Sequence, residues 1–215
     1  MARFIVLFIS LPLGISCAFN LIHVFGGFLG NLNTSHYFFI GGTLFSLYVV
    51  AKFRKQLDFF STFEHELTHN IWAMLFFRKP MGFHVSTDGS GLFEYSSGGK
   101  FSNIFISLAP YFFPTACFLW LPFHVMCKEE FYWFYFMMMG IFFGYQVMST
   151  IQETGSYQTD ITSNGILYSY ATFIPLYVVF HGVILSHLNN GFNGVADFLY
   201  YGHLENVQWL LQLFL

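Results

Sequence analysis

Long apolar runs alternate with short polar or charged breaks along most of the chain. A helix needs about 20 mostly apolar residues to cross the hydrocarbon core of a bilayer, and most of these runs approach that length. Six such runs are present, at residues 4–29, 37–51, 56–77, 101–126, 131–151 and 166–188. The pattern predicts an all-α polytopic membrane protein with about six transmembrane helices. In the fourth run, Pro110, Pro114 and Pro122 predict a kink.

The composition favours a bilayer as the surrounding medium. The 215 residues are 55% hydrophobic and 23% aromatic, and only 9% are charged, whereas about 25% of the residues in a soluble domain are charged. A net charge of −3 at pH 7 gives no basic surface for a nucleic-acid backbone, so we exclude nucleic acid as a partner. The three cysteines have no CxxC spacing and indicate neither a disulfide framework nor a thiolate zinc site. We expect an integral, multi-pass membrane protein.

The two ends of the chain differ from its middle. The first apolar run could be a cleavable signal, but its length fits a membrane span better. Residues 191–215 mix acidic, aromatic and aliphatic side chains and are expected to form an amphipathic segment that lies against the helices or the interface. Because no repeat or linker divides the sequence, residues 1–215 are predicted to form a single membrane-embedded domain with its core at 56–165.

One stretch between the third and fourth runs breaks the helical pattern. Residues 82–97 read GFHVSTDGSGLFEYSS, in which Asp88 and Gly89 separate two short strand-like runs. An Asp-Gly pair in that position is the usual signal for a tight hairpin turn. The sequence therefore predicts a small β-hairpin after the third transmembrane helix.

The third run carries an HExxH motif, formed by His65, Glu66 and His69 with two residues between Glu66 and His69. Residues four apart lie on one face of a helix, so both imidazoles can bind one zinc ion. Zinc lowers the pKa of bound water, and the adjacent Glu66 carboxylate can take the proton as a general base. Ionisable groups inside a membrane are costly unless they are paired or solvated, which predicts a polar, water-accessible cavity along this helix. The alternative is a seam of polar residues that only holds helices together.

A third protein ligand must come from elsewhere in the chain. We favour Asp160, because it follows the fifth run near a membrane boundary and has no basic neighbour in sequence; the alternative is that it caps a helix. Glu153 and His181 are the other candidates for this ligand. Asn103 could hydrogen-bond the substrate or a developing oxyanion, or could instead form a helix cap or an interhelical bond.

Four features together resemble the site-2 protease family of intramembrane zinc metalloproteases. They are the HExxH motif in a predicted span, the β-like segment at 82–95, the span that opens near Asn103, and the later Asp160. The resemblance covers residues 56–165 and is closest to the small bacterial-type members that lack an inserted PDZ domain.

The resemblance implies a function and a set of site residues. It implies His65, His69 and Asp160 as ligands of one zinc ion per chain and Glu66 as the general base. The expected reaction is hydrolysis of a peptide bond in or near a transmembrane segment of a membrane-protein substrate. The expected location is a bacterial inner membrane.

A helical substrate must unwind locally before its peptide bond can be attacked, because its carbonyls are engaged in helical hydrogen bonds. We expect the hairpin, with Gly89 and Gly91 as substrate-binding residues, to hold the unwound stretch as an added strand. Two other functions remain open. One is a non-catalytic metal-binding membrane protein or pseudoprotease, and the other is a membrane di-iron oxygenase, which would need further histidine clusters.

Overall fold

The computed structural model describes residues 1–86, 90–96, 98–155 and 157–201, and it is mainly helical with one small sheet. The helices are α1 (Ala2–Gly30), α2 (Thr34–Lys52), α3 (Arg54–Leu75), α4 (Lys100–Leu108), α5 (Thr115–Trp120), α6 (Phe123–Met126), α7 (Tyr132–Glu153), α8 (Thr159–Asn164) and α9 (Ile166–Ala196). The strands are β1 (Pro80–Val85) and β2 (Gly91–Tyr95). Short 3₁₀ turns cover Ala109–Tyr111 and Glu129–Phe131, and a π turn covers Asp197–Tyr201. The predicted fold class, helical with a small hairpin, is confirmed.

All six predicted apolar runs fall on helices, but the count of six spans is not confirmed. By length and composition, three helical stretches in the described part of the chain could cross a membrane: Ala2–Gly30, Glu129–Glu153 and Ile166–Tyr200. A fourth is added if the bent pair formed by α4 and α5–α6 is one span. The remaining two runs form α2 and α3, and α3 carries the polar and charged side chains of the HExxH region.

The fourth run is broken rather than gently kinked. Its two halves, Lys100–Tyr111 and Thr115–Met126, are bent by 89°. Pro110 lies in the 3₁₀ turn and Pro114 precedes α5, where a proline removes a backbone donor and its ring obstructs the preceding turn. The predicted kink is therefore confirmed, and the break places Tyr111 beside α3.

The hairpin between α3 and α4 is confirmed. Strands β1 and β2 are antiparallel, with Phe83 opposite Phe93. The sheet lies on α3, where the rings of Phe63 and Phe83 meet edge to face at 5.7 Å. The predicted Asp88-Gly89 turn lies outside the described residues.

Helices α2 and α7 pack closely through glycine. We use the name glycine seam for Gly42, Gly140 and Gly144, at each of which an added Cβ would clash with a backbone carbonyl oxygen of the opposite helix. Close backbone approach at small residues is the usual way in which membrane helices gain contact area, because lipid provides no hydrophobic drive between them. The seam therefore fixes the position of α7 against α2.

The last long helix is interrupted where the amphipathic segment was predicted to begin. Asn190 and Gly191 have non-helical backbone angles, and Gly191 has φ +56°, a conformation that glycine adopts without steric cost. Residues 202–215 of the predicted segment 191–215 lie outside the described residues.

Candidate active site

The HExxH motif lies in the second half of α3, on the face that turns toward α4, α7 and α8. His65, Glu66 and His69 are buried, with 9%, 9% and 7% of their surface exposed. The helical spacing brings the two imidazole rings to 4.9 Å between centroids. Both histidines can therefore offer a nitrogen to the same point.

Asp160 comes to the two histidines from α8. Its Oδ2 atom is 3.4 Å from Nε2 of His65 and 3.4 Å from Nε2 of His69. Potential ligand atoms of the three residues all lie within 4.8 Å of one another, and no other group of three or more such residues is found in the described part of the chain. Two imidazoles and a carboxylate are a donor set that zinc takes in catalytic sites.

The outer nitrogen of each imidazole is already occupied. His69 Nδ1 donates to the backbone carbonyl of Ile106 at 2.7 Å, and His65 Nδ1 is 3.0 Å from Oε2 of Glu153. A proton on Nδ1 leaves the Nε2 lone pair free for a metal, and metal-binding histidines usually have such a partner on the other nitrogen. The arrangement of both rings thus fits a metal ion bound between them and Asp160.

The environment of Asp160 favours its charged form. Burial alone would raise the pKa of its carboxyl, but without a metal, hydrogen bonds and charge interactions with His65 and His69, when these carry a proton on Nε2, bring the pKa below its ordinary value. A carboxyl group binds a divalent cation as the carboxylate, so Asp160 is in the ionisation state that a ligand needs, and a metal ion would take the place of the Nε2 protons.

A polar cavity of about 420 Å³ adjoins these residues. Its lining includes a polar stripe along α3, residues of the last turns of α7, and the start of α8. The polar lining residues of the three helices are Arg54, Asp58, Ser61, Thr62, His65, Glu66, Tyr145, Ser149, Gln152, Glu153, Thr159 and Asp160. The predicted polar cavity along the third run is present, and it provides room for water beside Glu66.

The hairpin covers the cavity at Gly91, the first residue of β2. A Cβ added to Gly91 would lie 2.6 Å from Oε1 of Glu66 and 2.6 Å from Cγ2 of Thr62. Only glycine leaves enough space for the strand to approach Glu66 this closely. The other predicted hairpin residue, Gly89, lies outside the described residues.

The structure separates the remaining candidates from the metal-binding group. Asn103 lies on α4 and is not among the described residues that line the cavity. His181 lies on α9, where its ring stacks on Tyr177 at 3.6 Å between centroids and its Nδ1 bonds the Tyr177 carbonyl. Glu153 contacts the group, but through the outer nitrogen of His65.

Sequence reasoning missed two neighbours of the histidines. The carbonyl of Ile106 has no sequence signal, because every residue carries one. Tyr111 packs its ring edge to face on His65, at 5.6 Å between centroids, and is fully buried. The closely spaced Pro110 and Pro114 indicate a break nearby, but the sequence does not show which helix that break contacts.

Comparison with known proteins identifies a family for this chain. The family model described as Peptidase M50B-like matches residues 39–152. The matched stretch includes His65, Glu66, His69 and Asn103 and ends before Glu153 and Asp160. No curated protein and no solved structure matches the chain.

Proposed function

The chain belongs to the Peptidase M50B-like family, which is the site-2 protease family of membrane metalloproteases, and from that premise we propose a specific zinc-dependent reaction for it. The resemblance drawn from the sequence motifs is thereby confirmed at the level of the family. The family and the apolar helices identify an integral membrane protein of the intramembrane metalloprotease type. The metal, the site residues and the substrate are the parts that we propose.

His65, His69 and Asp160 would bind one zinc ion. The observation that carries this assignment is the convergence of their donor atoms, with Oδ2 of Asp160 3.4 Å from Nε2 of each histidine. Zinc in such a site supplies Lewis acidity, which lowers the pKa of water toward neutrality and polarises a carbonyl. The chain itself holds each imidazole with its Nε2 atom directed to the shared point.

Glu66 would act as the general base. Its carboxylate lines the same cavity as His65 and Asp160, so it can accept a proton from the attacking water and pass it to the departing amine. The cavity's polar side chains can keep a water molecule hydrogen-bonded at membrane depth, where lipid offers no polar partner.

The substrate would be a transmembrane segment of another membrane protein, opened into an extended stretch. The hairpin supports this proposal, because a two-stranded sheet has strand edges at which an extended peptide can form main-chain hydrogen bonds. Gly91 lies directly over Glu66, so a peptide aligned with β2 would pass close to the base. Recognition through main-chain hydrogen bonds depends little on the amino-acid sequence of the substrate.

The test uses the purified chain in lipid vesicles together with single-span reporter proteins. We expect cleavage in or next to the reporter span, with Glu66→Gln retaining its zinc and losing activity by about 10²–10⁴-fold. Glu64→Gln is the matched control, since Glu64 lies on the same helix, accepts a hydrogen bond from Thr68 and is not among the described cavity residues. Cleavage by Glu66→Gln at the wild-type rate would remove Glu66 as the base. A zinc-loaded wild type that cleaves no reporter would instead support the pseudoprotease alternative.

A further inference from the structure

Glu153 ends α7 with its carboxylate directed at the HExxH helix. Its Oε2 atom is 3.0 Å from Nδ1 of His65, the nitrogen that faces away from Asp160. The two side chains are mostly buried, with 11% of His65 and 19% of Glu153 exposed. A carboxylate that is this strongly buried would be destabilised if it had no partners, so the contact with His65 contributes to stability.

The other oxygen of Glu153 is also bound. Oε1 accepts hydrogen bonds from the hydroxyl groups of Ser61 and Ser149, the second at 2.8 Å. Ser61 lies one turn before His65 on α3, and Ser149 lies one turn before Glu153 on α7. One carboxylate therefore joins the turn of α3 that carries His65 to the last turn of α7.

The two histidines differ in the partner of their outer nitrogen. His69 bonds a neutral backbone carbonyl, that of Ile106, which no side-chain substitution removes. His65 bonds an anionic side chain that belongs to another helix. A carboxylate partner fixes the tautomer and ring orientation and makes the imidazole a stronger donor to a metal than a neutral partner does.

We propose that Glu153 is a positioning residue that prepares His65 for metal binding. Glu153 binds Nδ1 of His65, Ser61 and Ser149 hold its carboxylate in place, and the Nε2 atom of His65 is thereby directed to Asp160. This inference rests on the proposed metal site and gives Glu153 a role different from the direct ligand considered from the sequence. It predicts that metal affinity depends on a side chain that does not touch the metal.

The test measures the zinc dissociation constant of the purified full-length chain by competition with a chelating dye. We expect Glu153→Ala to weaken zinc binding by about 10–100-fold. Glu153→Gln should recover part of that loss, because its amide oxygen can still accept the Nδ1 proton. Ser149→Ala should give a smaller loss, since it removes one of the two bonds to Oε1. The matched control is Glu130→Ala, which removes an exposed carboxyl just before the start of α7 whose ion-pair partner is Lys128 and should change the affinity by less than about twofold.

Three further results decide the matter. Zinc binding by Glu153→Ala, Glu153→Gln and Ser149→Ala equal to the wild type would overturn the positioning role while leaving the metal site intact. A wild type that binds no zinc would overturn the proposed function together with this inference. X-ray absorption of the zinc-loaded chain should give the same number of nitrogen and oxygen donors in the wild type and in Glu153→Gln, and a loss of one donor would show that Glu153 is a ligand. If the thermal melting curve shows that Glu153→Ala is unfolded, the zinc affinities of Glu153→Gln and Ser149→Ala test the proposal instead.

Discussion

The middle and the C-terminal end of α7 contact their neighbours in different ways. Its middle turns meet α2 through the glycine seam, where Gly140 and Gly144 allow the two backbones to touch. Its last turn meets α3 through Ser149 and Glu153, whose polar atoms bond Ser61 and His65. Steric fit in the middle of α7 therefore positions the helix, and hydrogen bonds at its C-terminal end use that position to orient a histidine. Substitutions in the glycine seam should therefore lower both the stability and the zinc affinity, whereas substitutions in the site should lower zinc affinity or cleavage and leave the fold intact.

The largest expected effect on stability comes from Gly140→Ala. The added Cβ would clash with the carbonyl oxygen of Phe39, and helices that are forced apart in a packed core lose about 1–3 kcal/mol. Thermal unfolding in detergent measures the loss, and zinc affinity should fall with it. Gly41→Ala is the control, because nothing lies within 4 Å of its added Cβ; it should be neutral or slightly stabilising. Equal melting temperatures for the two variants would argue against the seam.

A smaller effect, mainly on chemistry, is expected from Gly91→Ala. Its Cβ would lie 2.6 Å from Oε1 of Glu66 and 2.6 Å from Cγ2 of Thr62, so the Glu66 side chain must move and the start of β2 must shift slightly away from α3. A displaced base should lower the rate of reporter cleavage by about tenfold or more, with the zinc content unchanged and only a small fall in the melting temperature. In the same hairpin, Gly82→Ala meets only Glu94, at 3.4 Å, and should keep its activity. Similar rates for both variants would show that the strand can move from Glu66 without consequence.

The smallest effect is expected from Phe77→Gly, just after α3. Phe77 has φ +56° and is 96% exposed. Its backbone is therefore in the left-handed region, and burial of its side chain does not offset the strain. Glycine should relieve strain of about 0.5–1 kcal/mol after its own entropy cost. The melting temperature should rise slightly while cleavage stays the same, and Phe77→Asn should behave similarly because Asn tolerates this region. A lower melting temperature in both variants would show that the backbone at Phe77 is not strained.

Local patterns predicted much of the fold. The apolar runs fall on helices because length and hydropathy are properties of each segment alone, and the HExxH spacing places His65 and His69 on one face by helical geometry. The Pro110–Pro114 break and the hairpin follow from backbone chemistry in the same way. The convergence of Asp160 with the two histidines also appears as expected, whereas its binding of zinc stays a prediction.

Features that depend on contacts between distant segments could not be predicted. Glu153 and Asp160 were both candidates for the third ligand, because the sequence does not show which nitrogen of His65 each would face. The glycine seam was missed, since Gly140 and Gly144 become informative only when α2 is known to be the neighbour. The polar face of α3 also lowers its mean hydropathy below that of a simple membrane helix, so α3 is not among the described helices that qualify as spans by length and composition.

The most direct test of the account is the metal content of the purified chain, measured by mass spectrometry of the elements. We predict one zinc ion per wild-type chain and little or none in His65→Ala, His69→Ala and Asp160→Ala, with the zinc-free melting temperature of the three variants close to that of the zinc-free wild type. Two iron ions per chain would indicate the oxygenase alternative, and a wild type without metal, or full zinc content in all three variants, would contradict the proposed site.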